Sequence, residues 1–238
     1  VVEITAPEGM VINKEAHDVE LTYAGQEVSV TETATSFVND RQKVTVSLEK
    51  TIEKNDIFNI GNGDEMKNIS FGLFAAEELV STSGTSIPAD GLIEIISLSE
   101  NGKAVIKTDL PFGSYYVKEL ATDEHYILTD AKYPFIFSYA GQDTANVEIA
   151  VNDGKPIENK LIYGSVSGKK ITENGEALGG AVIGLFKADE TEFTKENALM
   201  TATSENDGSF SFDKVPYGNW LVREIEQPEG FVLDETSY

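Results

Sequence analysis

The sequence predicts an all-β protein built from tandem β-sandwich domains. Three observations support this prediction: apolar and polar residues alternate over short segments, turn dipeptides separate these segments, and parts of the sequence recur. Over 44–49, valine and leucine alternate with threonine, serine and glutamate. Tyr115 and Val117 alternate in the same way with Tyr116 and Lys118. This period of two is typical of strands that bury one face.

The turns and a single helical segment complete the predicted elements. Hairpin turns are expected at Asn101-Gly102, Asn174-Gly175 and Asp207-Gly208, because Asn-Gly and Asp-Gly dipeptides favour the backbone of tight turns. Residues 191–199 predict one short helix with Thr194 as its N-cap. Short strands separated by such turns favour a sandwich over other folds.

Composition excludes several classes of function. The chain has 238 residues, a net charge of −23 and no cysteine, so disulfides, thiolate metal sites and cysteine nucleophiles are excluded. Its negative charge opposes binding to nucleic acid and to anionic lipid. No apolar run is long enough to span a bilayer, so we expect no membrane insertion in this segment. With only His17 and His125, we expect no Ser/His/Asp triad, no metal site, no cofactor and no enzymatic activity on external substrates.

Internal repeats predict the domain organisation. Four pairs of segments match: 113–119 with 218–224, 1–9 with 222–230, 69–74 with 181–186, and 21–26 with 137–142. Laid end to end, they give residues 1–40 as the C-terminal strands of a preceding unit and 41–160 as one complete unit. Residues 161–238 form a further unit that lacks its last strands, so the sequence looks like a segment of a longer tandem array.

Three polar residues occupy apolar-facing positions of the complete unit. Lys50 continues the inward row of 44–48, Glu119 continues the row of Tyr115 and Val117, and Asn159 lies on the apolar side of a third strand. An unpaired buried charge costs several kcal/mol. Three interpretations are open: strand ends that reach solvent, a buried Lys–Glu salt bridge, or a chemical crosslink.

The crosslink would be an isopeptide bond. A desolvated lysine tends to become a neutral nucleophile, whereas a desolvated carboxyl tends to stay protonated and can hydrogen-bond to a side-chain amide. Attack of the amine on that amide releases ammonia and leaves a neutral bond between two strands. Lys54 and Lys169 are the competing nucleophiles, and strand parity favours Lys50 and Lys170.

The other units carry the members of the trio that their extents allow. Lys170 and Glu224 recur in 161–238, and Glu3 and Asn39 recur in 1–40. The spacing from Asn39 to the next unit's lysine, Lys50, equals the spacing from Asn159 to Lys170. This recurrence favours the crosslink interpretation. We therefore expect Glu3, Glu119 and Glu224 to be the catalytic helpers.

The sequence resembles a known family at these positions. Its motifs are Gly164-Ser-Val-Ser-Gly-Lys-Lys170, Gly179-Gly-Ala-Val-Ile-Gly-Leu-Phe186, and the run from Tyr217 to Ile225 followed by Gln227-Pro-Glu-Gly-Phe231. Together they are similar to the B-type repeat of collagen-binding adhesins (Cna B domains) and to related pilin domains of Gram-positive bacteria. The resemblance implies a transthyretin-like, reverse-immunoglobulin sandwich with Lys50 bonded to Asn159 beside Glu119. It also implies an extracellular, cell-wall-attached stalk.

Partners follow from this interpretation. Neighbouring repeats of the same protein are the expected partners, and we also weigh an alternative in which an exposed face or the insertion 51–67 binds a host matrix protein or a glycan. Repetition of the trio favours the stalk. A further hypothesis is that residues 18–40 of one molecule complete the unfinished unit of another by strand addition.

Overall fold

The computed structural model describes residues 1–29, 31–81 and 84–238, and confirms the all-β prediction. Its only helical elements are two short 3-10 turns at Glu65–Asn68 and Val151–Gly154, within the described residues. None of the helices in this part of the chain is long and apolar enough to cross a membrane. The strands are β1 (Lys43–Ile52), β2 (Ser70–Ala75), β3 (Leu79–Val80), β4 (Ser86–Ile87), β5 (Leu92–Ser97), β6 (Lys103–Ile106), β7 (Gly113–Ala121), β8 (Lys132–Phe137), β9 (Asn146–Ala150), β10 (Ile157–Asn159), β11 (Tyr163–Lys169), β12 (Val182–Lys187), β13 (Met200–Thr203), β14 (Ser209–Pro216) and β15 (Trp220–Glu226).

The helix predicted over 191–199 is wrong. Thr194 Oγ1 accepts the Asn197 N–H at 3.3 Å, but the chain makes only one turn there. The Leu199 N–H donates to the Leu185 carbonyl at 2.8 Å, which draws the chain into the sheet. The predicted hairpin turns are present, with Gly102, Gly175 and Gly208 in the left-handed region at φ of 74°, 82° and 78°.

The chain divides into two compact units. The first comprises Val1–Thr51, Ile69–Ala121 and Asp130–Ile157, and the second comprises Ile52–Asn68, Thr122–Thr129 and Glu158–Tyr238. Residues 52–68, which the sequence places in the middle repeat, therefore belong to the second compact unit. The repeat boundaries at residues 40 and 160 stay a prediction.

The first unit contains one antiparallel sheet in the order β5-β2-β7-β8 and a second sheet around β1. Strand β1 pairs antiparallel with β6 and parallel with β9, and the same sheet continues to β10. Alternate residues of β1 are buried, as the period of two predicts. The core is filled by side chains from both sheets, including Val44, Val46, Leu48, Phe71, Leu73, Tyr115, Val117, Phe135 and Phe137.

Tyr116 departs from the predicted alternation. The period of two places it on the solvent face, yet only 6% of it is exposed. Its ring stacks on Phe74 with centroids 5.0 Å apart, and its hydroxyl donates to Asp90 at 2.7 Å. The outer face of this sheet is therefore partly covered, because aromatic pairs across neighbouring strands form a small second layer.

The N-terminal segment packs within the first unit. Ala6 is buried, and its N–H donates to Gln142 Oε1 at 3.0 Å. The Ile12 N–H donates to the Gln142 carbonyl at 2.9 Å, and Met10 forms an antiparallel bridge with Arg41. These contacts hold the start of the chain even though it contains no regular strand within the described residues before β1.

The second unit consists of the sheet β13-β12-β15 and the two-stranded sheet β11-β14. Its core combines strand residues with apolar side chains from 52–68 and 122–129. Phe58 is buried and meets Trp220 edge to face at 4.8 Å, so the 52–68 segment forms part of this core. The buried members are Phe58, Ile60, Tyr126, Leu161, Ala181, Ile183, Leu185, Phe212 and Val215.

Candidate crosslink sites

Lys50 lies near the end of β1 with its side chain fully buried. The alternation of β1 points it inward after Val44, Val46 and Leu48. Its Nζ lies 3.7 Å from Glu119 Oε1, and both side chains have 0% exposure. Nζ also donates to the Ile157 carbonyl of β10 at 3.1 Å. A lysine and a glutamate thus meet in the interior of the sandwich rather than at its rim.

Glu119 reaches this position from the opposite sheet. Its strand, β7, lies between β2 and β8, and Glu119 pairs in register with Phe71. A central strand gives the carboxylate no route to solvent at this position. Burial, with a further contribution from the Glu119 charge, raises the pKa of the Tyr133 phenol.

Asn159 lies in β10, the strand whose Ile157 carbonyl accepts from Lys50. It is 1% exposed, and its Nδ2 donates to Thr122 Oγ1 at 2.7 Å. Its backbone carbonyl accepts the Glu53 N–H at 2.9 Å. All three residues expected to face the apolar side are therefore buried, so the interpretation as solvent-reaching strand ends does not fit them.

The second unit brings Lys170 and Glu224 together. Lys170 Nζ lies 3.2 Å from Glu224 Oε2 and 3.6 Å from Asp234 Oδ2. Lys170 keeps 15% side-chain exposure and Glu224 keeps 3%. Glu224 Oε1 is buried and, within the described part of the chain, has no hydrogen-bond partner. This pair is thus more open than its counterpart in the first unit and leaves one acceptor unsatisfied.

The N-terminal segment holds the amide and the carboxylate of the trio. Asn39 Nδ2 donates to Glu3 Oε2 at 2.7 Å and to the Val11 carbonyl at 2.8 Å. The structure therefore contains an acid–amide pair at one place and a lysine–acid pair at another.

Each glutamate at the ends of the chain is fixed by the same turn. Glu3 accepts the Asn13 N–H and Glu224 accepts the Asp234 N–H, both at 2.7 Å and both from ten residues along. The side chain of Asn13 then caps the Glu15 N–H, as Asp234 caps the Thr236 N–H. Asn13 and Asp234 are not among the site residues predicted from the sequence. The sequence nevertheless contains a signal for this turn, because an asparagine or aspartate, Asn13 or Asp234, follows each glutamate by ten residues.

Asp234 remains a charged carboxylate in this turn. Hydrogen bonds from the Thr236 hydroxyl and the Thr236 N–H lower its pKa, burial opposes them, and nearby Lys170 lowers it further. Its side chain is 41% exposed. It therefore acts as an ion partner of Lys170 at the rim of the site.

A groove of about 710 Å³ opens beside Lys170 in the second unit. Its walls include the apolar residues Ile183, Leu185, Phe210, Trp220 and Val222. Lys170, Glu224 and Asp234 contribute to its polar lining. The groove therefore lies over the core of this unit, in which Ile183 and Leu185 of β12 remain buried.

The two histidines lie in unrelated surroundings. His17 packs against Phe37 with ring centroids 4.3 Å apart and contacts Thr35 Oγ1 through Nδ1. His125 Nδ1 lies 2.6 Å from Asp123 Oδ1.

The fold and the buried lysine–glutamate pairs define a class of protein: tandem prealbumin-like sandwiches with a polar cluster inside each unit. The SpaA family of prealbumin-like fold domains matches residues 50–155 and 164–238, and the chain belongs to this family. No curated protein matches the chain in sequence.

One solved structure supports the fold. The Bacillus anthracis TIE protein superposes with a TM-score of 0.67 at 18% identity, over 100% of this chain and 37% of that one. The chain thus spans little more than a third of that protein. A streptococcal ancillary pilin (TM-score 0.32, 20% identity, 98% and 71% coverage) is also similar. So is a C-terminal fragment of the pilus adhesin SpaC from Lactobacillus rhamnosus GG (TM-score 0.46, 14% identity, 82% and 80% coverage).

Proposed function

We propose that this chain is a stalk segment of a Gram-positive cell-surface pilin or adhesin, and that its sandwiches are clamped by Lys–Asn isopeptide bonds. The observation that carries the proposal is the Lys50–Glu119 pair, 3.7 Å apart with no side-chain exposure, in which the strand of Lys50 pairs with the β10 that bears Asn159. Membership of the SpaA family supports the structural role. The implied location is outside the cell, attached to the cell wall.

The bond would form without a cofactor. A proton moves from Lys50 Nζ to Glu119, which leaves a neutral amine and a neutral acid in the core. The amine attacks Asn159 Cγ, and the Glu119 hydroxyl stabilises the oxygen of the tetrahedral intermediate. Glu119 then protonates the departing Nδ2, the Cγ–N bond to Nδ2 breaks, ammonia leaves, and Glu119 takes the second proton from Nζ. The product is a neutral amide.

Electrostatics favours this outcome over a permanent salt bridge. A buried ion pair must overcome the desolvation of both ions, and well-packed neutral groups are often more stable. Condensation removes the lysine charge and leaves Glu119 protonated beside a neutral amide. In this proposal the buried pair seen here is the precursor of the bond.

The position of the bond suits a load-bearing stalk. Lys50 lies in the first long strand of the repeat and Asn159 in its last, so tension along the chain passes through the bond and bypasses the strands between them. The bond closes a loop of about a hundred residues, worth roughly 4–5 kcal/mol in the chain-entropy model. We accordingly propose the repeat organisation 1–40, 41–160 and 161–238.

The alternative of ligand binding through the 51–67 insertion gains no support from the structure. Phe58 and Ile60 of this insertion are buried in the core of the second unit. These two large apolar side chains of the insertion therefore serve the core and are not available to a ligand. We therefore retain the stalk as the proposed function.

Intact mass spectrometry tests this proposal. We expect the purified chain to lack the mass of one ammonia relative to its sequence, and peptide mapping to join Lys50 to Asn159. Lys50→Ala and Glu119→Ala should restore the full mass. The matched control is Lys54→Ala, because Lys54 is an exposed lysine on the neighbouring segment that contacts Asn62. If the parent chain has the unmodified mass, the crosslink proposal is wrong and Lys50 and Glu119 form a buried salt bridge instead.

A further inference from the structure

The chain makes a fixed turn just after the end of β7. Asp123 holds this turn with both oxygens of its carboxylate: Oδ1 accepts the His125 N–H at 3.2 Å, and Oδ2 accepts the Asn68 side-chain amide at 2.7 Å. The Tyr126 N–H closes the turn on the Asp123 carbonyl at 3.0 Å. Asp123 is buried, so water competes little with these bonds. The preceding residue, Thr122, therefore lies at the start of a fixed turn.

The residues after this turn are tied to those that follow Asn159. Tyr126 forms an antiparallel bridge with Leu161, and the Ile127 N–H donates to the Lys160 carbonyl at 2.9 Å. Backbone bonds of this kind fix one segment against another, because each buried N–H and carbonyl needs a partner. The turn is thus held close to the end of β10.

Thr122 hydrogen-bonds to the side chain of Asn159. Asn159 Nδ2 donates to Thr122 Oγ1 at 2.7 Å; Asn159 is 1% exposed and Thr122 is partly buried. The Asn159 backbone is also fixed, since its carbonyl accepts the Glu53 N–H at 2.9 Å. The two ends of an amide group differ, because the nitrogen donates and the oxygen accepts. With the nitrogen against Thr122, the oxygen lies at the other end of the planar group.

We propose that Thr122 is a positioning residue for the crosslinking reaction, which holds the amide nitrogen of Asn159 so that the amide oxygen is presented to Glu119. This inference rests on the proposed function. A protonated Glu119 can donate to an amide oxygen but not to an amide nitrogen, which is only a donor. The opposite orientation of the amide would therefore be unreactive.

Thr122 takes part without changing its own bonds. Lys50 Nζ forms the new bond to Asn159 Cγ, the bond from Cγ to Nδ2 breaks, and Glu119 carries the protons until ammonia leaves. Thr122 keeps its proton throughout, and its oxygen accepts a hydrogen bond from Nδ2 before the attack. We expect Thr122 to determine how fast the bond forms, because the orientation it selects is needed at the moment of attack.

The rate of crosslinking in the full-length chain tests this role. The chain is made by cell-free translation, samples are stopped in denaturant at set times, and intact mass gives the fraction that has lost one ammonia. We expect Thr122→Val to lower the rate at least about tenfold, because valine keeps the shape of threonine but cannot accept the bond from Nδ2. Thr122→Ser keeps the hydroxyl and should react within about threefold of the parent rate.

The matched control is Thr51→Val. Thr51 is an exposed threonine next to Lys50 in the sequence, so the same change of side chain there should leave the rate unaltered. Circular dichroism shows whether each variant is folded, which separates a slow variant from an unfolded one. Thr122→Ala replaces the valine variant in the comparison if valine prevents folding, and the same loss of rate is expected.

An Asn159→Asp background separates orientation from packing. Both ends of a carboxyl group are oxygens, so the orientation that Thr122 selects no longer matters, and attack by Lys50 on the protonated carboxyl group releases water instead of ammonia. Thr122→Val should then change the rate by less than about twofold. An equal loss of rate in both backgrounds would assign Thr122 to packing and overturn the positioning role.

The outcomes distinguish this inference from the proposed function. If the parent loses one ammonia and Thr122→Val reacts at the parent rate, the positioning role is overturned and the proposed function stands. A Thr122→Ser variant as slow as Thr122→Val would also overturn it, because serine retains the hydroxyl. If the parent keeps the mass of its sequence, the proposed function fails, and this inference fails with it.

Discussion

Lys50 is buried because of its place in an alternating strand. Residues 44–50 of β1 direct every second side chain inward, and Lys50 is the last of that row. The partner Glu119 follows the same rule on β7. Two side chains that rarely occur in protein cores therefore meet because strand parity overrides their preference for water. This conflict between local pattern and polarity marks the site.

Asp123 offers a test of electrostatics at the scale of one residue. Burial acts to raise its pKa, but hydrogen bonds from His125 and Asn68 outweigh burial and lower it. A depressed pKa in the folded state means stability that is present above the unfolded pKa of about 3.9 and is lost as pH falls through the folded value. We expect Asp123→Asn to lower the free energy of unfolding by about 1–2 kcal/mol near pH 6 and by less near pH 3.

The control for this experiment is Asp130→Asn. Asp130 also has a lowered pKa, through its contact with Lys118, but its side chain is 98% exposed. Surface ion pairs contribute little to stability. Urea unfolding of both variants at several pH values gives the comparison. An Asp123 effect that does not shrink in acid would contradict the assignment of these hydrogen bonds to the charged form.

At the scale of structural elements, a hairpin turn positions Lys170, the buried-pair lysine of the second unit. The Lys170 N–H donates to the Gly208 carbonyl at 2.8 Å, which ties the end of β11 to the turn before β14. Gly208 has a φ of +78°, and a Cβ at this residue would lie 2.3 Å from the Lys170 carbonyl oxygen. The glycine thus allows the close approach that places Lys170 beside Glu224.

Gly208→Ala should destabilise the second unit more than Gly175→Ala. Gly175 has a similar φ of +82°, but a Cβ at this residue would have no atom within 4 Å, so it carries only the strain of the left-handed backbone. We expect about 1–2 kcal/mol for Gly175→Ala and a larger loss for Gly208→Ala, measured by chemical denaturation. Equal losses would show that the contact with the Lys170 carbonyl is easily relieved.

The whole molecule combines a large negative charge with polar clusters inside its two sandwich units. A charge of −23 opposes compactness, and the absence of cysteine removes disulfides as a means of compensation. In the proposed function, isopeptide bonds supply the missing covalent constraint. The parent chain and a variant that lacks the Lys50–Asn159 bond should then differ in thermal stability.

Thermal unfolding tests this difference. We expect Lys50→Ala to lower one unfolding transition by about 10–20 °C, since loss of a bond worth roughly 4–5 kcal/mol shifts the midpoint of a domain of this size by several degrees per kcal/mol. Lys169→Ala should leave both transitions in place. Calorimetry of parent and variants provides the measurement. An unchanged midpoint for Lys50→Ala would contradict a load-bearing bond.

The sequence alone determined the all-β class, the hairpin turns, and the inward direction of Lys50, Glu119 and Asn159. These features depend on the period of two and on turn dipeptides, which act over a few residues. The match of the SpaA family confirms the family resemblance. The sequence also showed that lysine, acid and amide recur along the chain.

Only the tertiary structure decided where distant segments pack. It placed Phe58 and Ile60 in the core of the second unit, buried Tyr116 beneath Phe74 and Asp90, and replaced the helix predicted after residue 190 with a single turn. It also revealed the turns that fix Glu3 and Glu224. Periodicity could not supply these features, because each depends on contacts between residues far apart in sequence, whose energies a local pattern does not contain.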